Sequence, residues 1–291
     1  MRKIKYFIAT ILCFVPDAIM LRIQYFVKLK RKLSLRNPKR FTEKLQWYKA
    51  YYRDPQMLRC TDKYLVRSFV IERLNDDKIL NRLYQVCDDA KEIDFDNLPN
   101  SFVIKTSDGG NGDNIYVCTD KSKIDKAKII KLVNSWRNKH YDKISREWAY
   151  RGAKSSRIIV ERYLHDRNNQ DGSIDDYKFL CYDGKFRFLW VDKDRYSKHK
   201  RGFWDQDLNF LADVYSDHPT FENPPQLPAN ITDMIKIAEK LAHGFPFARV
   251  DLYNIEGKIY FGEITFYPWS GYVKYNPDSF DYELARYFNI Q

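Results

Sequence analysis

The sequence predicts an α+β fold in which antiparallel hairpins are segregated from helices, and three observations carry that prediction. Near the C-terminus, Phe247–Tyr253 and Lys258–Thr265 are rich in aromatic and β-branched residues, nearly alternate, and flank a turn containing glycine. Asp176–Asp192 reads as a second hairpin around Asp183-Gly184. Helical spacing marks Lys121–Lys139, with Ile124, Ile129, Leu132, Val133 and Trp136 on one face, and Ile231–His243, which Gly244 ends. The 291 residues suffice for one large domain or two to three subdomains, and 22 Tyr with 19 Phe make the core aromatic.

Composition narrows the partners. A net charge of +11 favours an anionic one: nucleic acid, an anionic membrane surface, a nucleotide or an acidic glycan. Five dispersed cysteines without a CxxC pair suggest free thiols in a reducing compartment, and the five histidines show no zinc spacing.

In chain order, Met1-Arg-Lys-Ile-Lys followed by an apolar run to Val15 resembles a signal peptide, yet Pro16-Asp17 interrupts it without a small-residue cleavage site. The run is too short for an ordinary membrane span. Ala18–Leu29 has Met20, Ile23, Phe26, Val27 and Lys30 at helical spacing beside a basic cluster. That pattern fits either an interfacial helix on an anionic membrane or an amphipathic helix docked on the protein. Asn37–Lys44 turns into a helix with Thr42 as cap and an aromatic face of Leu45, Trp47, Tyr48, Tyr51 and Tyr52. Asp54-Pro55 starts a helix running to Val70, on which Asp62, Lys63 and Arg67 form an exposed network of charges. Ile79–Val86 is a short strand or loop, and Asp88–Pro99 is acidic and turn-like.

Ser101–Thr106 and Ile115–Cys118 are strands joined by Ser107-Asp-Gly-Gly-Asn-Gly-Asp-Asn. Such a loop either lets backbone N–H groups approach phosphate, with Lys105 beside it, or is a plain hairpin. It is not a Walker A loop, because no Gly-Lys-Ser/Thr follows and the next element is a strand. Arg157–Leu164 is a strand whose end turns polar at Glu161, and Lys178 interrupts an apolar strand, where a lysine can snorkel to the surface. Pro219–Asn230 reads as an ordered connector. In the closing hairpin a three-residue loop, Ile255-Glu256-Gly257, sets Asp251 opposite Phe261 and Arg249 opposite Glu263. Arg249, Asp251, Glu263 and Thr265 then share one face. Such charges on a core-like hairpin imply either a partner, such as a divalent cation with phosphates, or a surface Arg–Glu pair.

The ordered set of motifs resembles the ATP-grasp superfamily, and within it the TupA-like ATP-grasp family, related to a teichuronopeptide biosynthesis protein. The residues that carry the likeness are Asn37–Trp47, Asp62-Lys63-Tyr64, Val103–Thr106 with its Gly-rich loop, Arg146-Glu-Trp, Asp176–Phe179, Phe247–Tyr253 and Gly262–Pro268. The resemblance implies an ATP-grasp fold, two β-rich subdomains clamping ATP, with a helical N-terminal region. The expected division is basic helices over 1–36, an N-terminal subdomain over 37–100, a lid over 101–160 and a C-terminal subdomain over 161–291. By analogy Lys105 and the backbone of Gly109, Gly110 and Gly112 meet the phosphates, with Lys63 at the nucleotide mouth. Glu161, Arg162, Tyr163 and Leu164 form the hinge near adenine and ribose. Lys178 adds charge at the phosphates, Arg195 and Arg249 steady the transferring phosphoryl group, and Asp251 with Glu263 holds Mg²⁺. Glu263-Ile-Thr265 departs from the Glu-x-Asn common in the superfamily, which leaves the number of metals open.

The implied activity is an ADP-producing carboxylate–amine ligase that joins an amino acid or other amine to a uronic acid of an acidic surface glycan. Alternatives are a sugar kinase or a glycosyltransferase, although Asp192-Lys-Asp194 matches a sugar-nucleotide motif only loosely. The expected location is cytoplasmic, peripheral on the inner membrane face through residues 1–40. No nucleic-acid partner is expected, because the aromatics lie in core-like strands.

Overall fold

A computed structural model describes residues 14–108, 114–136, 144–151, 156–169 and 171–290. The expected phosphate-loop glycines, Gly109, Gly110 and Gly112, and residues 1–13 of the basic N-terminal region lie outside these. Helices α1 (Asp17–Leu29), α2 (Phe41–Tyr51), α3 (Pro55–Thr61) and α4 (Leu65–Leu74) come first. Strands β1 (Leu83–Cys87), β2 (Phe102–Thr106) and β3 (Ile115–Cys118), helix α5 (Lys126–Asn134) and β4 (Ile158–Arg162) follow. Then come β5 (Asp176–Tyr182), β6 (Lys185–Lys193), β7 (Lys200–Trp204), α6 (Ile231–Ala242), β8 (Phe247–Ile255), β9 (Lys258–Thr265) and α7 (Ser279–Ala285).

Two antiparallel sheets result, a four-stranded one ordered β1-β4-β2-β3 and a five-stranded one ordered β7-β6-β5-β8-β9. The four-stranded sheet reaches across the expected 101–160 span on both sides, since β1 precedes it and β4 runs past it. Helix α5 covers this sheet: Ile129 and Val133, one turn apart, pack with Phe102, Ile104, Ile158 and Val160. The larger core lies on the five-stranded sheet, where α6 buries Ile231, Met234, Ala238 and Leu241 at helical spacing and α2 adds Phe41, Leu45 and Tyr48. Strand β5 is buried along its whole length because it sits at the centre of the sheet.

Local expectations fail at three places for identifiable reasons. Thr42 is not the cap of α2. The Glu43 carboxylate accepts from the N–H groups of Lys39 and Arg40, while Thr42 donates its N–H and hydroxyl to Asp281 on α7. The helix expected from Asp54 to Val70 is two helices, broken where the Asp62 carboxylate accepts from the N–H groups of Tyr64 and Leu65. The closing turn has two residues, Glu256 and Gly257, both at positive φ (52° and 83°), as a primed turn requires. With a bulge between Asp251 and Leu252, the register becomes Asp251 opposite Glu263 and Arg249 opposite Thr265. Turn and bulge each shift the register by one, and two shifts restore the face, so the charges still converge.

Segment 79–82 bridges the sheets. Phe261 donates its N–H to Ile79 O, Asn81 Nδ2 donates to Arg162 O at 2.8 Å, and Arg162 Nη2 donates to Tyr260 Oη at 2.8 Å. Among the described residues no helix is long and apolar enough to cross a membrane.

Candidate active site

The cleft between the sheets collects most of the expected residues. A cavity of about 180 Å³ is lined by Val103, Lys105, Glu161, Tyr163, Leu164 and Arg195, with Arg162 and Gly262 at its wall. A smaller one of about 40 Å³ continues from it, sharing Lys105 and Glu161 and adding Lys63, Arg67 and Glu263. Cations from the four-stranded sheet and the helical break thus face a carboxylate of β9 across one space.

Local folding explains each position. Lys105 stands at the end of β2 and its Nζ lies 2.7 Å from Glu161 Oε2, the neighbouring strand's carboxylate. Arg67 Nη1 lies 3.6 Å from the other Glu161 oxygen, Oε1. The break between α3 and α4 carries Lys63 to the cleft, fixed because Lys63 N donates to Ser107 O and Ser107 Oγ donates to Asp62 Oδ2 at 2.7 Å. Lys63 and Arg67 are therefore cleft residues, not members of an exposed helical network. Burial lowers the Lys63 pKa, opposed by the Glu263 charge.

Beneath Glu263 lies a sheet of charge. Arg249 Nη2 donates to Asp251 Oδ2 and to Glu263 Oε1, both at 2.6 Å, and to Thr265 Oγ1 at 3.1 Å. Lys178, opposite Asp251 in register, donates to Asp251 Oδ2 at 2.8 Å and to Asp176. Lys178 is therefore buried and ion-paired rather than snorkelled, and its ammonium neutralises carboxylates of the sheet. Arg195 Nη1 reaches Asp176 Oδ2 at 3.0 Å. Burial pushes the Asp251 carboxyl up, against the pull of Arg249 and Lys178. For Glu263, half-exposed at the cleft wall, partial desolvation acts in the same direction, but the charges of Arg249, Lys178 and Lys63 win and hold it at about 2.

These residues fit Mg²⁺ and ATP. Two carboxylate oxygens already converge on one positively charged nitrogen, and Glu263 keeps 47% of its side chain exposed. Among the described residues no cluster of three metal-binding side chains exists. The protein thus offers a pair of oxygens and leaves the remaining positions to phosphate and water, the coordination Mg²⁺ favours. The apolar walls of the larger cavity, Val103, Ile115, Val117 and Leu164, suit a flat base, and the cations beyond suit its phosphates.

Sequence reading missed several participants. Asp176 is one, with a buried Oδ1 that has no hydrogen-bond partner. Asn81 lines both cavities, and Asp192 lies 3.9 Å from Lys178 while accepting from Arg201 Nε at 2.6 Å. Gly262 forms the bulge, where a Cβ would come within 2.9 Å of Asp251 O. A glycine inside a strand pattern was the available signal for that bulge.

Comparison with known proteins identifies the family. The sequence profile described as TupA-like ATPgrasp matches residues 43–289. Among solved structures, D-alanine–D-alanine ligase from Helicobacter pylori is 16% identical over 79% of this chain and 61% of its own, with a TM-score of 0.44. The corresponding ligase from Bacillus anthracis is 16% identical over 72% and 57%, with a TM-score of 0.42. N5-carboxyaminoimidazole synthetase from Staphylococcus aureus, complexed with ADP, is 13% identical over 71% and 44%, with a TM-score of 0.44. The chain spans less than two thirds of each of these proteins, and no curated protein matches it. The family match extends over most of the chain and takes in Lys63, Lys105, Glu161, Asp251 and Glu263; with it comes the ATP-grasp fold, and the chain belongs to the TupA-like ATPgrasp family.

Proposed function

We propose that the protein is a carboxylate–amine ligase that joins an amino acid or another amine to a uronic acid of a surface polysaccharide. The observation that carries the reading is the meeting, across one cleft, of Lys63 and Lys105 with the Glu263–Arg249–Asp251 set. ATP with Mg²⁺ supplies the phosphoryl group that turns a carboxylate into an acyl phosphate, which an amine opens to an amide with release of phosphate. The side chains position and neutralise. Asp251 and Glu263 would hold the metal, Lys105, Lys63 and Arg195 would neutralise the phosphates, and Arg249 would steady the transferring group once it leaves the two carboxylates. The mechanism asks for no protein nucleophile. The net charge of +11 suits an acidic glycan.

The test is incubation with ATP, Mg²⁺, hydroxylamine and candidate uronic acids. Hydroxamate together with ADP is the expected product, because only an activated acyl group is trapped. A phosphorylated sugar stable to hydroxylamine would replace this reading with a kinase. UDP release from a sugar nucleotide without ATP consumption would replace it with a glycosyltransferase.

A further inference from the structure

Helix α1 has two apolar faces, and among the described residues only one is packed into the fold. Leu21, Tyr25 and Leu29 are buried with Leu33 and Leu35, and Met20 is buried beside them. The opposite face exposes Ile19 (50%), Ile23 (51%), Phe26 (55%) and Val27 (58%), at the i, i+4, i+7, i+8 spacing of one helical stripe. Phe14, 77% exposed, precedes it. Large apolar side chains gathered on one exposed face mark an interaction surface, whereas scattered ones do not.

The helix is held rigidly, so the stripe has a fixed direction. Asp17 accepts from Arg146 Nη1 at 3.2 Å and from Arg151 Nη2 at 2.8 Å. Gln24 Nε2 donates to Ile144 O, and Tyr272 Oη donates to Gln24 Oε1 at 2.7 Å. The surrounding charge selects the occupant. Residues 14–40 contain eight Lys and Arg against one acid, Asp17, which is itself neutralised. Arg31 and Arg40 are paired with Asp278, but Lys30, Lys32, Arg36 and Lys39 are exposed, and Lys30 follows Phe26 by one turn at the end of the stripe. An apolar ridge bordered by cations is complementary to an anionic bilayer, where side chains enter the acyl boundary and lysines meet headgroups.

We propose that the outer face of α1, Ile19, Ile23, Phe26 and Val27 with Lys30 and Lys32, docks the protein on an anionic lipid surface. The two sequence alternatives for this helix are then both true, one for each face. The proposal is independent of the ligase reading.

The test uses the full-length protein and vesicles of phosphatidylcholine with about 30% phosphatidylserine, against phosphatidylcholine alone. Co-sedimentation with the anionic vesicles only is expected. Ile23→Asp with Phe26→Asp should lower the partition coefficient by about a hundredfold, and Lys30→Gln or Lys32→Gln by about fivefold each. Circular dichroism and thermal unfolding check that the variants are folded. As a second measurement that disturbs little, tryptophan emission of Phe26→Trp should shift to the blue with anionic vesicles. Wild-type protein that stays in the supernatant would overturn the proposal. So would a folded Ile23→Asp/Phe26→Asp variant that sediments normally, or an unchanged emission spectrum. A wild-type dimer that this variant converts to monomer would assign the stripe to a second copy of the chain instead.

Discussion

The two sheets handle charge in opposite ways. At the cleft edge of the four-stranded sheet, Lys105 meets one carboxylate, Glu161, and keeps 21% of its side chain exposed. In the five-stranded sheet, Lys178 is 8% exposed and lies among three carboxylates, Asp176, Asp251 and Asp192. A cation with one partner at a cavity wall can exchange that partner for phosphate at small cost. A cation enclosed by carboxylates cannot, because leaving them would expose buried like charges to one another. The four-stranded sheet therefore carries an exchangeable charge, and the five-stranded sheet carries a fixed counter-ion that keeps an acidic face foldable. Arg249 stands between the two, since it bridges buried Asp251 to half-exposed Glu263.

That contrast makes Asp251 and Glu263, the proposed metal ligands, the most sensitive positions for chemistry. Asp251→Asn and Glu263→Gln are each expected to lower turnover by about a thousandfold with the circular dichroism spectrum retained, since the proposed catalysis is charge neutralisation. Near-normal hydroxamate formation by both variants would reduce the hairpin to a structural ion pair. The counter-ion is the most sensitive position for folding. Lys178→Met leaves Asp176 and Asp251 without their shared ammonium and should cost about 3–5 kcal/mol in urea unfolding. A loss under 1 kcal/mol would show that the lysine is not the fixed partner described.

The same contrast explains what was legible in the sequence. The face of β8 and β9 could be read because strand periodicity survives a register shift of two, although the turn length and the bulge at Gly262 were both misjudged. Lys105 and Glu161 could each be placed on a strand, but the pairing of β2 with β4 that makes them neighbours could not be read. Lys63 could be placed only through the family motif, because helical spacing predicts continuity through Asp62, and Ser107, which ties the broken segment to the cleft, lies 45 positions from Asp62. The burial of Lys178 was hidden for a similar reason: its neutralising carboxylates come from three strands, and only the pairing of β5 with β6 and β8 assembles them. Asp281, which serves the start of α2 in place of the Thr42 cap, lies 239 positions away. The outward stripe of α1 was likewise visible as apolar spacing, but which of its residues turn inward is decided by packing.

Lys49 sharpens the comparison as a fully buried ammonium whose carboxylate partner, Glu147, is less closely held than those of Lys178. It donates to Ser270 O at 2.7 Å, Ser270 Oγ at 2.6 Å and Ser145 O at 3.2 Å, while Glu147 Oε1 is 3.5 Å away. Burial lowers its pKa from the ordinary 10.5 to about 8, with Glu147 opposing. The sign follows from proton counts: between pH 8 and 10.5 the unfolded chain binds a proton that the folded chain does not. Stability from this group therefore rises as pH increases through that window and is at its lowest below pH 8, a difference of about 3 kcal/mol. Urea unfolding of wild type and Lys49→Met across the window measures it as the difference between the two slopes. Parallel slopes would mean that Lys49 is as well solvated or paired as an ordinary lysine.

The smallest expected effect is at Lys105 of the four-stranded sheet. Lys105→Met removes a cation whose partner, Glu161, still has Arg67 Nη1 at 3.6 Å, so the carboxylate is not left alone. Stability should fall by about 1 kcal/mol or less. ATP affinity should fall by about tenfold, the worth of one charge-assisted contact to phosphate. Isothermal titration with ATP and Mg²⁺, paired with urea unfolding, separates the two quantities. A variant that binds ATP normally but unfolds easily would reverse the roles assigned to the two lysines, making Lys105 the scaffold.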